Sequence, residues 1–277
     1  MMAPVAMRRV LLGRAVKGAA VALDSVRPPA RGIVVLAYHR VGRRSSLSVD
    51  LPEWLFEEQI SRLADSFPVI DLDRALGALQ GDPPGGPDPV VVTFDDGTAD
   101  FAEVALPILA RHRVPATLYV ATDFLEGQRP FPRDGRPLTW SALADAVSTG
   151  LVTVGSHTHS HVLLDRAPDG SVPAELDRSI ELIGERLGVT ARHFAYPKAL
   201  AGSPGADRAV RARFDSAAVA GTRANPYRGT DAYRLARSPI QVDDGLRYFA
   251  RKTSGGMRLE DDLRRLVGRR RFAGATT

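Results

Sequence analysis

A chain of 277 residues, 44% hydrophobic and 25% charged, can bury one large α/β core or two smaller ones and needs neither a disordered nor a fibrous reading. It contains no cysteine, which excludes disulfides, thiolate nucleophiles and sulfur-held zinc, so any metal must rest on His, Asp or Glu. The net charge of +5 is uneven: residues 1–31 carry six Lys/Arg against one acid and residues 247–277 nine against three, so the body between them is acidic and a uniform nucleic-acid-binding face is disfavoured.

The opening MRRVLLGRAVKGAAVALDSV has the basic start of a signal peptide, but Arg14 and Lys17 interrupt its apolar stretch and no small-x-small cleavage site follows. It reads as a basic arm or weakly amphipathic helix over residues 1–31. No run of 18 apolar residues exists to span a membrane, so a cytoplasmic location, or a peripheral one with the basic termini touching anionic lipid, is the expectation.

From residue 32 the pattern becomes regular. GIVVLAYH is a β-branched strand, and PEWLFEEQISRLADSF places Leu55, Phe56, Ile60 and Leu63 at helical spacing. PVIDL reads as strand, LDRALGALQ as helix and GDPPGGPDP as loop. VVVTF is a continuous apolar run of the kind buried on both faces of a parallel sheet. The alternation continues through helix ADFAEVALPILARH, strand ATLYVA, helix TWSALADAVSTG, strand LVTVG, helix VPAELDRSIELIGERLG, strand HFAYP, helix PGADRAVRARF and strand DSAAVA. That is one βαβ-built domain, a closed barrel or an open sheet.

Four polar clusters each follow an apolar strand directly: YHR at 38–40, DDG at 95–97, SHTHSH at 156–161 and YPK at 196–198. In a parallel barrel or sheet such positions share the face where ligands bind. Adjacent carboxylates at a strand end repel each other unless a cation sits beside them, although Asp95 and Asp96 also suit the capping of the next helix. His157 and His161, four apart, would share one side of a helical turn, with His159 pointing away to solvent or to an outer shell. One Asp and two His with an open fourth position is the ligand count of a catalytic metal, which acidifies water and polarises a carbonyl. A spare carboxylate beside it makes a hydrolase of amides or esters.

TFDDG followed by SHTHSH resembles the NodB-homology polysaccharide deacetylases, carbohydrate esterase family 4, over residues 32 to about 242. The resemblance implies a distorted (β/α) barrel in a single domain and a metal-dependent hydrolase that removes N-acetyl groups from an amino-sugar polysaccharide or glycoconjugate. It makes Asp95 the general base and Asp96, His157 and His161 the ligands of a divalent ion, Zn2+ first, with Co2+, Ni2+ or Mn2+ as alternatives. The third family motif is altered here: RHFAYPKAL keeps Phe194 and Pro197, but Ala195 stands where an arginine often orients the base and Lys198 where an aromatic is usual. Arg237 is the candidate to take over that support. No histidine follows His193 to serve as acid, whereas LAYHRVG resembles the circularly permuted poly-N-acetylglucosamine deacetylases, which implies His39 as the acid, with His193 the fallback.

Tyr196, through its backbone N–H, and Pro197 are expected at the substrate, and Phe131 and Trp140 as groove-wall aromatics. Residues 32–242 form the expected catalytic domain and 243–277 a basic helical extension. The partners are an acetylated amino-sugar polymer or lipid-linked glycan, and no nucleic acid. The alternatives are an O-acetyl esterase or small-amide hydrolase on the same fold, or an inactive carbohydrate-binding homologue.

Overall fold

The computed structural model describes residues 16–24, 26, 28–260 and 262. After α1, helical over 16–24, the chain runs β1 (Val34–Tyr38), β2 (Arg40–Val41), β3 (Asp50–Leu51), α2 (Glu53–Ser66), α3 (Leu72–Leu79) and β4 (Val90–Phe94). It continues with α4 (Leu106–His112), β5 (Ala116–Val120), α5 (Thr122–Glu126), α6 (Trp140–Ser148), β6 (Val152–Ser156), α7 (Val172–Leu187) and β7 (His193–Ala195). Last come α8 (Pro204–Arg211), β8 (Ser216–Ala220), β9 (Leu235–Pro239) and α9 (Arg247–Thr253).

Seven parallel strands close into a barrel in the order β1-β4-β5-β6-β7-β8-β9, with β9 returning to β1 through Val35↔Arg237 and Leu36↔Ser238. This is a distorted (β/α) barrel in one domain. Strand residues alternate between two surfaces. Leu36, Val92, Leu118, Val154 and Phe194 join Phe56, Ile60 and Leu63 of α2 and Leu176 and Ile183 of α7 in the larger core. Val35, Val91, Tyr119, Ala195, Ala218 and Leu235 form a second cluster with Leu72, Ala75 and Leu79, so α3 plugs the barrel at the end where the strands begin. The other end is left open for a site.

Local chemistry sets the helix ends. Asp71, Thr139 and Ser203 accept backbone N–H bonds at the starts of α3, α6 and α8, and Gly188, at φ 68°, closes α7 in the left-handed conformation. The helix expected over 99–112 starts with a π-helical turn at Phe101–Ala105 before α4. Pro107, with no N–H to donate, lies at the junction.

Two sequence expectations change. PVIDL forms no regular strand: Val69 makes an isolated bridge to Val90, between Pro68 and the α3 cap Asp71. RLARSPI, read only for its arginine, supplies β9, the strand that closes the barrel.

Both ends of the described chain pack on the domain. The buried Lys17 Nζ of α1 lies 2.7 Å from Asp244 Oδ1, and Lys252 Nζ of α9 lies 2.7 Å from Asp244 Oδ2. Residues 1–15 and the basic LRRLVGRRRF stretch, on which the lipid-contact expectation rests, lie outside the described residues. Among the described residues no helix is long and apolar enough to cross a membrane.

Candidate active site

The strands' C-terminal ends open into a cavity of about 390 Å³ lined by His39, Asp95, Asp96, His157, His161 and Arg237, with Arg40, Phe131, Arg133 and Lys198 around them. His39 follows β1, Asp95 and Asp96 follow β4, His157 follows β6, and Arg237 projects from within β9. Parallel strands therefore deliver to one mouth residues that are up to 198 positions apart in sequence.

Asp95 is buried, and Arg237 grips it with Nη1–Oδ1 at 2.6 Å and Nη2–Oδ2 at 2.8 Å. Arg237 Nη1 also donates to Thr93 Oγ1 at 3.2 Å, and that hydroxyl donates to the Leu36 carbonyl at 2.7 Å, so the fork has a fixed seat. Burial pushes the Asp95 carboxyl up, but Arg237 first, then His157 and His39, outweigh it and hold the group below its ordinary value. His39 Nε2 lies 3.8 Å from Asp95 Oδ2.

Asp96 turns the other way, at φ 76°, and its Oδ1 lies 3.7 Å from His157 Nε2 and 3.4 Å from His161 Nε2. One donor atom from each of the three lies within 4.8 Å of the others. His157 Nδ1 lies 2.7 Å from the Ala195 carbonyl, a bond that needs the ring proton on Nδ1 and leaves the Nε2 lone pair facing Asp96. Burial, first, and the neighbouring His161 lower the His157 pKa to about 4, so the ring is neutral at pH 7 as a ligand must be. Desolvation pushes the half-buried Asp96 carboxyl up, but its hydrogen bond with His161 and the imidazoles of His39, His161 and His157 around it outweigh that and hold it well below its ordinary range. These donors fit a divalent ion.

The two histidines do not share a helical turn. His157 directly follows β6, and the chain passes through left-handed residues at Thr158 (φ 64°) and His161 (φ 62°) before the second imidazole returns. Such conformations cost about 1–3 kcal/mol each and persist where the surroundings impose them. Here Glu175 of α7 accepts from Ser160 N and Oγ, both at 2.8 Å, and the Asp123 amide donates to the His159 carbonyl at 2.9 Å. His159 itself points out of the donor cluster, its Nδ1 2.9 Å from Thr122 Oγ1.

Five further expectations divide. Phe131 lines the cavity, stacked on Phe124 with ring centroids 4.3 Å apart. Trp140 does not line it: its indole packs on the core and donates to Glu126 Oε2 at 2.8 Å. Tyr196 is fully buried, and its amide donates to the Ala218 carbonyl at 3.1 Å as part of the β7–β8 pairing, which removes it as an oxyanion donor. Pro197 is buried behind the following residues, and Lys198 and Ala199 line the cavity instead. His193 starts β7 at the opposite end of the barrel, 3.3 Å from Asp73, so it does not reach the site. Arg40, the last residue of the YHR cluster, lines the cavity as that cluster's place after β1 predicts, and Arg133, two residues beyond Phe131, lines it without having been singled out in the sequence.

Residues 82–214 match the polysaccharide deacetylase family. Among solved structures, IcaB from Ammonifex degensii is 26% identical with a TM-score of 0.71, covering 81% of this chain and 98% of that one. The Streptococcus pyogenes deacetylase PplD, solved in complex with acetate, shares the fold at 20% identity and TM-score 0.70, covering 80% of this chain and 98% of its own. The uncharacterized protein YlxY of Bacillus subtilis is 31% identical over 127 residues, 44% of this chain but only 36% of that relative's length. Residues 82–214, just under half of the chain, are thus a polysaccharide deacetylase domain by their family match, on a fold that IcaB and PplD share.

Proposed function

We propose that the chain is a metal-dependent hydrolase that removes N-acetyl groups from an amino-sugar polysaccharide or glycoconjugate. The observation that carries this reading is the pairing of two different carboxylate environments at adjacent residues. Asp95 is locked to Arg237, while Asp96 faces two imidazole Nε2 atoms, and both line one cavity with His39.

Asp96, His157 and His161 would hold a divalent ion, zinc by the chemistry of a two-imidazole, one-carboxylate set. Bound there, such an ion supplies Lewis acidity toward the acetyl carbonyl and lowers the pKa of water. Asp95, ionised at neutral pH, accepts the proton of the attacking water. Arg237 keeps both carboxylate oxygens in place and keeps the group from protonating in its buried setting. His39, which faces the same cavity, gives a proton to the departing sugar nitrogen, without which an amine is a poor leaving group. Residues 32–242 are the unit assigned to this chemistry.

The test is acetate release from N-acetylglucosamine oligomers by metal-reconstituted protein, with Asp95→Asn alongside. Release that vanishes in the variant while the metal stays bound supports the reading. Metal binding with no release from acetylated glycans of any kind would overturn it.

A further inference from the structure

The charges around the cavity do not balance. Asp95 is neutralised by Arg237, and Asp96 belongs to the His157/His161 donor cluster. The remaining ionic residues in the lining are Arg40, Arg133 and Lys198, all cationic. The exposed side chains of Arg133 and Lys198 meet no acidic partner among the described residues, in contrast to Arg44 and Arg136 nearby, which both pair with Glu103.

Both cations stand on backbone that is itself fixed, while their own side chains make no ion pair among the described residues. Arg133 sits at φ 58° in a tight turn closed by two hydrogen bonds between Phe131 and Gly135, at 2.7 and 3.1 Å. Arg40 is 7% exposed and donates from Nη1 to the Arg133 carbonyl at 3.1 Å, fastening the turn beside His39. Gly135 is what lets it do so, because a Cβ there would lie 1.4 Å from Arg40 Nη2. Lys198 lines the same cavity from the loop that follows β7, at φ 55°. Left-handed positions that glycine would occupy without strain instead carry long basic side chains, and strain of that kind collects at ligand sites.

We propose that the cavity takes an acetylated glycan that also bears an anionic group, a carboxylate or a phosphate, held by Arg133 and Lys198. This deepens the deacetylase reading and rests on it for the reaction. Arg133 offers a planar fork and Lys198 a mobile point charge, a pair suited to either anion.

Metal-loaded full-length protein separates these cases with matched probes. One pair is a hyaluronan hexasaccharide against its carboxyl methyl ester; the other is an N-acetylglucosamine hexamer against its 6-phosphorylated form. Binding is followed by calorimetry and acetate release in parallel. The expected result is about tenfold tighter binding of the charged member of one pair at low salt, the pair identifying the anion, with the gap closing as ionic strength rises. In Arg133→Gln/Lys198→Gln the charged-to-neutral affinity ratio falls to about one, and Arg133→Lys/Lys198→Arg restores it. Equal affinities within both pairs overturn the inference even where acetate is released. A charge preference that persists in the double glutamine variant overturns the assignment to these two residues. Charge-selective binding with no acetate from any probe supports the anion site and overturns the deacetylase reading instead.

Discussion

Arg237 reaches from the closing strand of the barrel to Asp95 and meets both oxygens of its carboxylate, at 2.6 and 2.8 Å, with both side chains almost fully buried. A buried charge left without its partner is far more costly than an exposed one. Arg237→Ala is therefore expected to destabilise the fold by about 3–5 kcal/mol. It is also expected to raise the Asp95 pKa, since the guanidinium is the largest influence opposing burial there. The acid limb of the pH–rate profile then moves to higher pH. Arg237→Lys, which keeps the charge and loses the fork, should shift that limb less while still lowering kcat. An acid limb that stays in place in both variants would disconnect Arg237 from the base.

Loss of the carboxylates separates chemistry from ligation. Asp95→Asn is expected to lower kcat by about 10²–10⁴-fold, the usual worth of a general base, with metal content unchanged. Asp96→Asn and His157→Gln are expected to lose metal, read by elemental analysis after dialysis. Metal loss in Asp95→Asn to the same degree as in Asp96→Asn would show that the two carboxylates share one role.

Much of this site was legible because its residues follow runs that only a buried strand explains. VVVTF delivers Asp95 and Asp96, and LVTVG, shifted by one residue into Val152–Ser156, delivers His157. The barrel's closing strand was not legible, because Arg237, Ser238 and Pro239 break its apolar pattern. Tyr196 failed as a substrate contact for a reason sequence does not carry: strand pairing takes up its amide. Trp140 lies one residue beyond the cap Thr139, where helix geometry turns it toward Glu126 instead of the cavity. Arg133 has no sequence motif at all, and only the turn fastened by Arg40 brings it to the groove.

His39 separates amide from ester substrates. Its Nε2 faces Asp95 at 3.8 Å within the cavity, and an amine leaving group needs a proton where an activated ester's alcohol does not. His39→Gln is expected to lower turnover of N-acetyl substrates by about 10²-fold or more while changing acetate release from an aryl acetate ester less than about tenfold. Equal losses on both substrates would assign His39 to positioning of Asp95 and not to proton donation.

The clasp between the chain's two ends sets a pH window for stability. Asp244 is buried between Lys17 and Lys252, 2.7 Å from each, and its Oδ2 also accepts the Gln241 amide at 2.8 Å. Burial raises the Asp244 carboxyl, but the two ammonium groups outweigh it and leave the pKa below its ordinary value of 3.8. A carboxyl depressed in the folded state contributes stability that is fully present above the unfolded pKa and is lost as pH falls through the folded one. Lys17 has the opposite sign: burial lowers it, Asp244 and its neighbours raise it above 10.5, and its contribution is lost only as pH climbs through that raised value. Asp244→Asn removes the carboxylate that both ammonium groups share and leaves them only Asp243, 3.1 Å from Lys17, and the more distant Glu260, and is expected to cost about 3 kcal/mol at pH 7. The difference from wild type should shrink as pH falls below 3.8, because the unfolded chain then takes up a proton that the folded Asp244 resists. Urea midpoints at pH 7 and pH 3 read both, and a variant deficit that is as large at pH 3 as at pH 7 would mean that Asp244 acts through packing and hydrogen bonding, with its charge contributing nothing.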